Sequence, residues 1–219
     1  MPAYCGCGMK NSVYHNLDCK KGGYVSMRHN AIRDTVAYFL REARCRDVKI
    51  EPSLLPVNAA NFPFKANTQD EARLDISAVG VYAPFEKTFF DVRVTHPNCD
   101  SNVYKSPDQL YKEHEKSKKD AYEQRVLDSE KGSFIPLIFT TSGGAGPLCS
   151  TFIKRISSKI SEDKNESLSL VTNQIRTRLR FALLKSTLIA LRVRGKVNHL
   201  YTSTHDISFN LIPKMNNFL

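Results

Sequence analysis

Helical and strand-like spacings of apolar residues follow one another along this chain in a definite order, and that order limits the folds it can adopt. Four segments read as helices: residues 29–45, 107–128, 149–161 and 166–194. Four others read as strands: residues 47–53, 73–81, 87–96 and 133–141. The last strand is almost continuously apolar, which is typical of a buried position in a sheet. The order of helix, three strands, helix, strand and two helices predicts an α/β fold with one mixed sheet flanked by helices.

The second and third predicted strands each carry one aspartate in mid-run. A tight turn at residues 82–86 joins them, so the sequence predicts a hairpin. Because side chains alternate along a strand, Asp75 faces the same way as Arg73, and Asp91 the same way as Arg93. Burying a charge among the apolar neighbours of Asp91 is costly unless something pairs with it. A divalent cation shared by the two carboxylates and a plain salt bridge to Arg73 or Arg93 both meet this requirement.

The charged helix that follows carries one lysine that the helical spacing directs inward. The inward stripe contains Tyr111, Glu115, Lys118, Tyr122 and Arg125. The other lysines of this segment point elsewhere: Lys112, Lys116 and Lys119. An inward lysine can stabilise charge on a phosphate or orient an attacking water, as a nuclease requires. It can equally lie at the edge of the core, with a buried stem and an amine that reaches solvent.

The chain is strongly basic, with 32 Lys and Arg against 22 Asp and Glu and a formal net charge of +10. Nucleic acid is therefore the first partner to expect. Most of the excess falls after residue 150, where Arg176, Arg180 and Arg194 form one face of the last helix. This face either tracks phosphates or is simply solvated. No apolar run approaches the roughly 20 residues of a membrane span, so we expect a soluble, intracellular protein without a membrane partner.

Three of the six cysteines crowd into residues 5–19, and the others are scattered along the chain. This distribution favours a metal site in reducing surroundings over a disulfide framework. A chain of 219 residues can close one sizeable core and leaves room for a small satellite module.

Four motifs link the sequence to a known family: RLD at residues 73–75, FDVRVTHP at 90–97, KKDAY at 118–122, and FIP at 134–136 with the glycines at 143–144. They resemble the restriction-like endonuclease domain of the PD-(D/E)XK superfamily, as found at the C-terminus of site-specific non-LTR retrotransposon polyproteins. The resemblance covers about residues 1–195. It implies a zinc finger at residues 1–28, an endonuclease domain at 29–195 and a tail of unassigned structure at 196–219.

The resemblance implies the ligands of a catalytic Mg²⁺ or Mn²⁺. Asp75 stands for the first acid of the motif and Asp91 for the second. The main-chain carbonyl of Val92 is a further ligand. The fold expected with them is the PD-(D/E)XK core, a mixed central sheet flanked by helices.

The sequence departs from the family pattern at Arg93, where the motif has its lysine. Because a guanidinium is not deprotonated in proteins, Arg93 can only bind phosphate or stabilise charge. We expect the lysine role to have moved to Lys118, with Tyr122 beside it as a further catalytic candidate. If the role has not moved, the site is inactive.

The N-terminal cysteines resemble the CCHC zinc finger that precedes such endonuclease domains. The resemblance implies that Cys5, Cys7, His15 and Cys19 hold a structural zinc, since four protein ligands leave no open position. The first pair of cysteines is more closely spaced than usual. His29 is an alternative fourth ligand, or simply a residue at a helix start.

The function implied is that of a metal-dependent endonuclease that nicks double-stranded target DNA in the nucleus to prime reverse transcription. The RNA of the parent element would be a second partner. We expect DNA contacts at four arginines: Arg28, Arg73, Arg176 and Arg180. Two alternatives stay open, namely a catalytically silent, zinc-stabilised DNA-binding module on the same fold and a junction resolvase, which would have to be a dimer.

Overall fold

A computed structural model describes residues 3–193 of the chain. Its helices are α1 (Val13–Asp18), α2 (Tyr24–Glu42), α3 (Pro107–Arg125), α4 (Pro147–Lys164) and α5 (Leu168–Val193). Its strands are β1 (Arg46–Ile50), β2 (Ile76–Val79), β3 (Lys87–Thr95) and β4 (Ser133–Thr140). From α2 onward the predicted order of helix, three strands, helix, strand and two helices is confirmed. The predicted tail and Arg194 lie outside the described residues.

The four strands form one mixed sheet in the order β1-β2-β3-β4. The predicted hairpin is confirmed, since β2 and β3 are antiparallel and Ile76 lies opposite Phe90. β4 joins β3 in parallel, with α3 in the connection between them. A parallel neighbour requires such a crossover, because a tight turn can only reverse the chain. The expected α/β architecture, a mixed sheet flanked by helices, is therefore present.

The two faces of the sheet are covered by different helices. Phe90 and Val92 pack into a core formed with α2, α4 and α5. The alternate residue Phe89 packs on the other face, in a smaller cluster with Phe134 and the ring of Tyr122 from α3. By the same alternation Asp91 points towards α3. No helix among the described residues is both long enough and apolar enough to cross a membrane.

β2 is shorter than the predicted strand because the chain leaves β3 at Asp75. The amide of Asp75 still donates to the carbonyl of Phe90 at 3.1 Å. Upstream of it, Arg73 forms a bridge with Ser53 in the stretch that follows β1. Beyond Phe90, the edge of β3 that faces β2 is therefore available to groups other than a strand, and Asp75 lies beside it.

α2 begins at Tyr24, earlier than predicted, and so runs across the expected boundary at residue 28. This extension buries Arg28, which is 2% exposed and donates to the main-chain carbonyl of Leu17 at 3.0 Å. The expected DNA contact at Arg28 is wrong for this reason. The side chain joins α2 to α1 instead.

A buried arginine holds the long segment between β1 and β2. Arg125, at the end of α3, is fully buried. Its guanidinium donates to the carbonyls of Asn67 at 2.7 Å, Gln69 at 2.9 Å and Leu55 at 2.8 Å. Bonds from a charged donor to main-chain carbonyls are among the stronger hydrogen bonds in proteins. The irregular segment 55–69 is thereby held against α3.

Candidate active site and metal centre

Two carboxylates meet where β2 gives way to the open edge of β3. Asp75 precedes β2, and Asp91 lies in the middle of β3, with its side chain 8% exposed. Both side chains line the same cleft, and the charge of Asp75 contributes to a raised pKa of Asp91. The structure thus brings together the two aspartates that the hairpin pattern places on one face.

Lys118 reaches this pair from the facing helix. Its Nζ donates to Oδ2 of Asp91 at 2.7 Å, and its side chain is only 25% exposed. The same Nζ lies 5.9 Å from the ring centroid of Tyr122. Helical spacing alone predicts this inward direction, and Lys116, two residues earlier, is exposed. A capping box formed by Ser106 and Gln109 defines the start of the helix.

An imidazole from α2 completes the group. Nε2 of His29 lies 3.1 Å from Oδ2 of Asp75 and 3.0 Å from the carbonyl oxygen of Val92. The amide of Val92 also donates to Oδ2 of Asp75, at 2.6 Å. His29 therefore belongs to the carboxylate site, and the alternative that it completes the zinc site is wrong. Because His29 is the first residue of the predicted helix, the helical spacing does not predict where its side chain points.

The charges of this group depend on one another. Burial raises the pKa of Asp91 to about 6 against the lowering effect of Lys118, and the charge of Asp75 adds to the rise. Burial alone would raise the pKa of Asp75 as well, but the hydrogen bond and charge of His29 bring it below its ordinary value. The bond to Asp75 in turn raises the pKa of His29. Asp75 and His29 thus each favour the charged form of the other, whereas burial and the charge of Asp75 oppose ionisation of Asp91.

The donor set fits a hard divalent cation. Two carboxylates and a main-chain carbonyl converge, and oxygen ligands of this kind suit Mg²⁺ or Mn²⁺. Nε2 of His29 lies within hydrogen-bonding distance of both Oδ2 of Asp75 and the carbonyl oxygen of Val92. Two of the oxygens that a metal would use are thus held in position.

The other predicted residues of the site lie around the same cleft, which has a volume of about 380 Å³. Arg73, Arg93 and Tyr122 line it together with the two aspartates. Burial lowers the pKa of the neighbouring His114 to about 4, and the charge of Arg93 contributes to this shift. Arg73 and Arg93 thus place positive charge around an acidic centre.

Arg176 and Arg180 do not line this cleft. Both are exposed on α5, away from the buried stripe of Val171, Ile175 and Leu179, as predicted. They border a second, smaller pocket beside the glycine loop that follows β4. Their role as DNA contacts stays a prediction.

The N-terminal cysteines and histidine form a compact cluster. The ligand atoms of Cys5, Cys7, His15 and Cys19 all lie within 4.8 Å of one another. The Sγ atoms of Cys5 and Cys19 are 3.9 Å apart, and Sγ of Cys7 lies 3.2 Å from Nε2 of His15. Three thiols and one imidazole at this spacing can hold a structural zinc.

A tight turn allows the closely spaced pair of cysteines to point into one cluster. The amide of Gly8 donates to the carbonyl of Cys5 at 2.8 Å, and Gly8 adopts a φ of 91°, which favours glycine. The amide of Met9 lowers the pKa of Cys7. For Cys5, burial would raise the pKa, but the amide of Cys7 and the ring of His15 lower it. Both thiols are thereby biased towards the thiolate that binds metal.

The carboxylate site joins residues from α2, β3 and α3 with Asp75, and the cysteine cluster is a separate centre. The sequence pointed to both aspartates and the lysine, but it offered His29 only as an alternative zinc ligand or a residue at a helix start. No family model and no curated protein matches the chain. The chemistry of these residues therefore carries the functional proposal.

We predict that the purified protein holds about one tightly bound zinc per chain. Cys7→Ser should lose most of this zinc and lower the melting temperature. The reason is that metal binding stabilises the N-terminal module, which packs on the rest of the domain through α1. Cys99→Ser, outside the cluster, should keep the metal. Zinc content by atomic emission and thermal unfolding measure both effects. Equal zinc in wild type and Cys7→Ser would contradict the assignment.

Proposed function

We propose that this chain is a metal-dependent endonuclease that hydrolyses phosphodiester bonds of DNA at the site of Asp75, Asp91 and Lys118. The 2.7 Å contact between Nζ of Lys118 and Asp91, in the cleft that Asp75 also lines, is the observation that carries the proposal. A structural salt bridge alone would not need the second carboxylate beside it. A net charge of +10 is suited to a polyanionic substrate.

Each residue of the site has a role that follows from its position. When bound, a divalent cation supplies Lewis-acid stabilisation of a phosphate and a water of lowered pKa. Asp75, Asp91 and the carbonyl of Val92 would hold it. The ammonium of Lys118 stabilises negative charge that develops on the phosphate oxygens, or orients the attacking water. Arg93 holds the phosphate as a fixed charge.

The position of Lys118 supports the view that the lysine of the PD-(D/E)XK motif has moved to α3. Arg93 stands two residues after Asp91 and lines the cleft, but the amine that contacts the carboxylate comes from Lys118. The antiparallel hairpin with a parallel fourth strand also suits that core. We extend the proposal to the PD-(D/E)XK fold on these grounds.

The resemblance of the sequence supplies the proposed setting. In it the enzyme nicks double-stranded target DNA in the nucleus, and the nick primes reverse transcription beside the RNA of the parent element. Of the four arginines expected to contact DNA, Arg73 is the one that lines the cleft, where it would hold a phosphate next to the scissile one.

We predict that Asp91→Asn lowers the rate of metal-dependent cutting by at least about 10²-fold and leaves the affinity for DNA unchanged. It should not lower the free energy of unfolding. The folded pKa of about 6 lies above the ordinary 3.8, so ionised Asp91 destabilises the fold above pH 6 and this cost disappears as the pH falls towards 4. An amide removes the charge at every pH.

Plasmid nicking with Mg²⁺ or Mn²⁺, urea unfolding and a DNA-binding assay measure these three effects. Chelator controls need zinc added back, because a chelator also strips the cysteine cluster. Asp100→Asn, in the exposed loop after β3, is the matched control and should cut like wild type. Metal-dependent cutting by Asp91→Asn at the wild-type rate would refute the proposal. Wild type that binds DNA without cutting would indicate the silent binding module.

We predict that Lys118→Met lowers kcat by about 10²- to 10³-fold, the usual cost of losing one preorganised charge donor. Lys116→Met removes a lysine from the same helix at an exposed position and should change kcat less than twofold, as expected for a surface site. Single-turnover cleavage separates this loss from product release. Equal rates for the two variants would place the catalytic cation elsewhere.

We predict that His29→Ala raises the metal concentration for half-maximal cutting by about 10- to 100-fold, the range for groups that orient metal ligands. The reason is that His29 holds both Asp75 and the carbonyl of Val92. Mg²⁺ and Mn²⁺ titrations of cutting measure the shift. An unchanged metal requirement would remove His29 from the site.

A further inference from the structure

α5 is apolar on two opposite faces. One face packs into the core through a buried stripe of residues spaced four apart: Val171, Ile175, Leu179 and Leu183. The other face carries Phe181, Leu184 and Leu188, which are 63%, 51% and 41% exposed. Single exposed apolar residues are common on proteins, whereas several on one face form a patch of the kind that marks an interaction site.

The exposed face has the spacing of a helix that packs along another helix. Phe181, Leu184 and Leu188 are three and four residues apart, which is the spacing of the apolar seam between two packed helices. At 100° per residue, Leu188 lies about 180° from the buried Leu179, so this stripe points directly away from the core. An apolar stripe of this shape suits the apolar side of a second helix and not a phosphate backbone.

The charges of α5 indicate which kind of helix would fit. All five charged residues between Leu168 and Val193 are basic: Arg176, Arg178, Arg180, Lys185 and Arg192. By helical spacing Arg180 lies about 40° from Leu184, and Lys185 about 40° from Phe181, so the two cations flank the stripe on its two sides. Charges beside a seam select the partner, because like charges repel across it. An acidic partner is therefore favoured.

Neither a second copy of this face nor the segment that follows α5 supplies that acidic charge. In an antiparallel pair of α5 helices, Arg180 and Lys185 of both copies would border one seam, and only like charges would meet. Residues 194–219 contain Asp206 as their only acidic residue, against Arg194, Lys196 and Lys214. The charges thus favour a partner protein over both.

We propose that the exposed face of α5 binds an acidic amphipathic helix of a partner protein. Apolar side chains of that helix pack on Phe181, Leu184 and Leu188, and its carboxylates pair with Arg180 and Lys185. The inference is independent of the endonuclease proposal, because α5 contributes no residue to the lining of the catalytic cleft.

The test measures binding of the full chain to two fluorescein-labelled synthetic peptides of about 14 residues, or four helical turns. Both peptides carry leucine at the seam positions, and the flanking positions are glutamate in one and lysine in the other. Fluorescence anisotropy should show at least about tenfold tighter binding of the glutamate peptide, because like charges repel across the seam. This difference should shrink as added salt screens the charges.

Leu184→Gln should weaken binding of the glutamate peptide by about 10- to 150-fold, the effect of one leucine side chain that is no longer buried. Leu127→Gln is the matched control, because Leu127 is 57% exposed but lies just after α3, outside the stripe. This control should bind the peptide like wild type. Both variants should keep the melting temperature of wild type, because substitutions at exposed positions change stability little.

Equal affinity of wild type for the two peptides, no binding of either, or wild-type affinity of Leu184→Gln would overturn the inference. So would a dimer in sedimentation that Leu184→Gln dissociates, which would assign the face to a second copy. Binding to anionic lipid vesicles that Leu184→Gln loses would assign it to a membrane surface instead. Metal-dependent cutting by wild type is measured separately, so the endonuclease proposal stands or falls on its own test.

Discussion

The meeting of Asp75 and Asp91 at the end of the β2–β3 hairpin is the interaction on which the site depends. Two largely buried carboxylates repel each other, and the fold tolerates them because Lys118 and His29 approach from two different helices. α3 thereby contacts the carboxylates through Lys118, and α2 contacts them through His29. The cluster keeps two carboxylates in an arrangement suited to a cation, and their repulsion lowers the stability of the fold.

Adjacent residues of α2 connect the two centres of the molecule. Arg28 binds the carbonyl of Leu17 in α1, between the histidine and the last cysteine of the N-terminal cluster. The next residue, His29, binds Asp75 and the carbonyl of Val92. Loss of order in the N-terminal module would therefore disturb the first turns of α2 and, through His29, the carboxylate site. A zinc held by the cysteine cluster would thereby help to position His29 and the carboxylates.

Local patterns in the sequence account for much of this arrangement. Alternation along β3 separates Asp91 from the apolar Phe90 and Val92, and helical spacing along α3 turns Lys118 inward while Lys116 stays exposed. Both inferences need only the direction of a side chain from its own element. Arg28 shows where this reasoning fails, because its burial comes from contact with α1, a helix that the spacing did not predict.

The sequence by itself determined the order of elements, the hairpin, the inward lysine and the grouping of cysteines, since each follows from a period or spacing within one segment. Only the tertiary structure decided that β2 stops beside Asp75 and that His29 belongs to the carboxylates. Both depend on contacts between different elements, such as that of His29 with Asp75, whose sequence separation is 46. Periodicity gives the face of an element, whereas packing against other elements sets which faces meet.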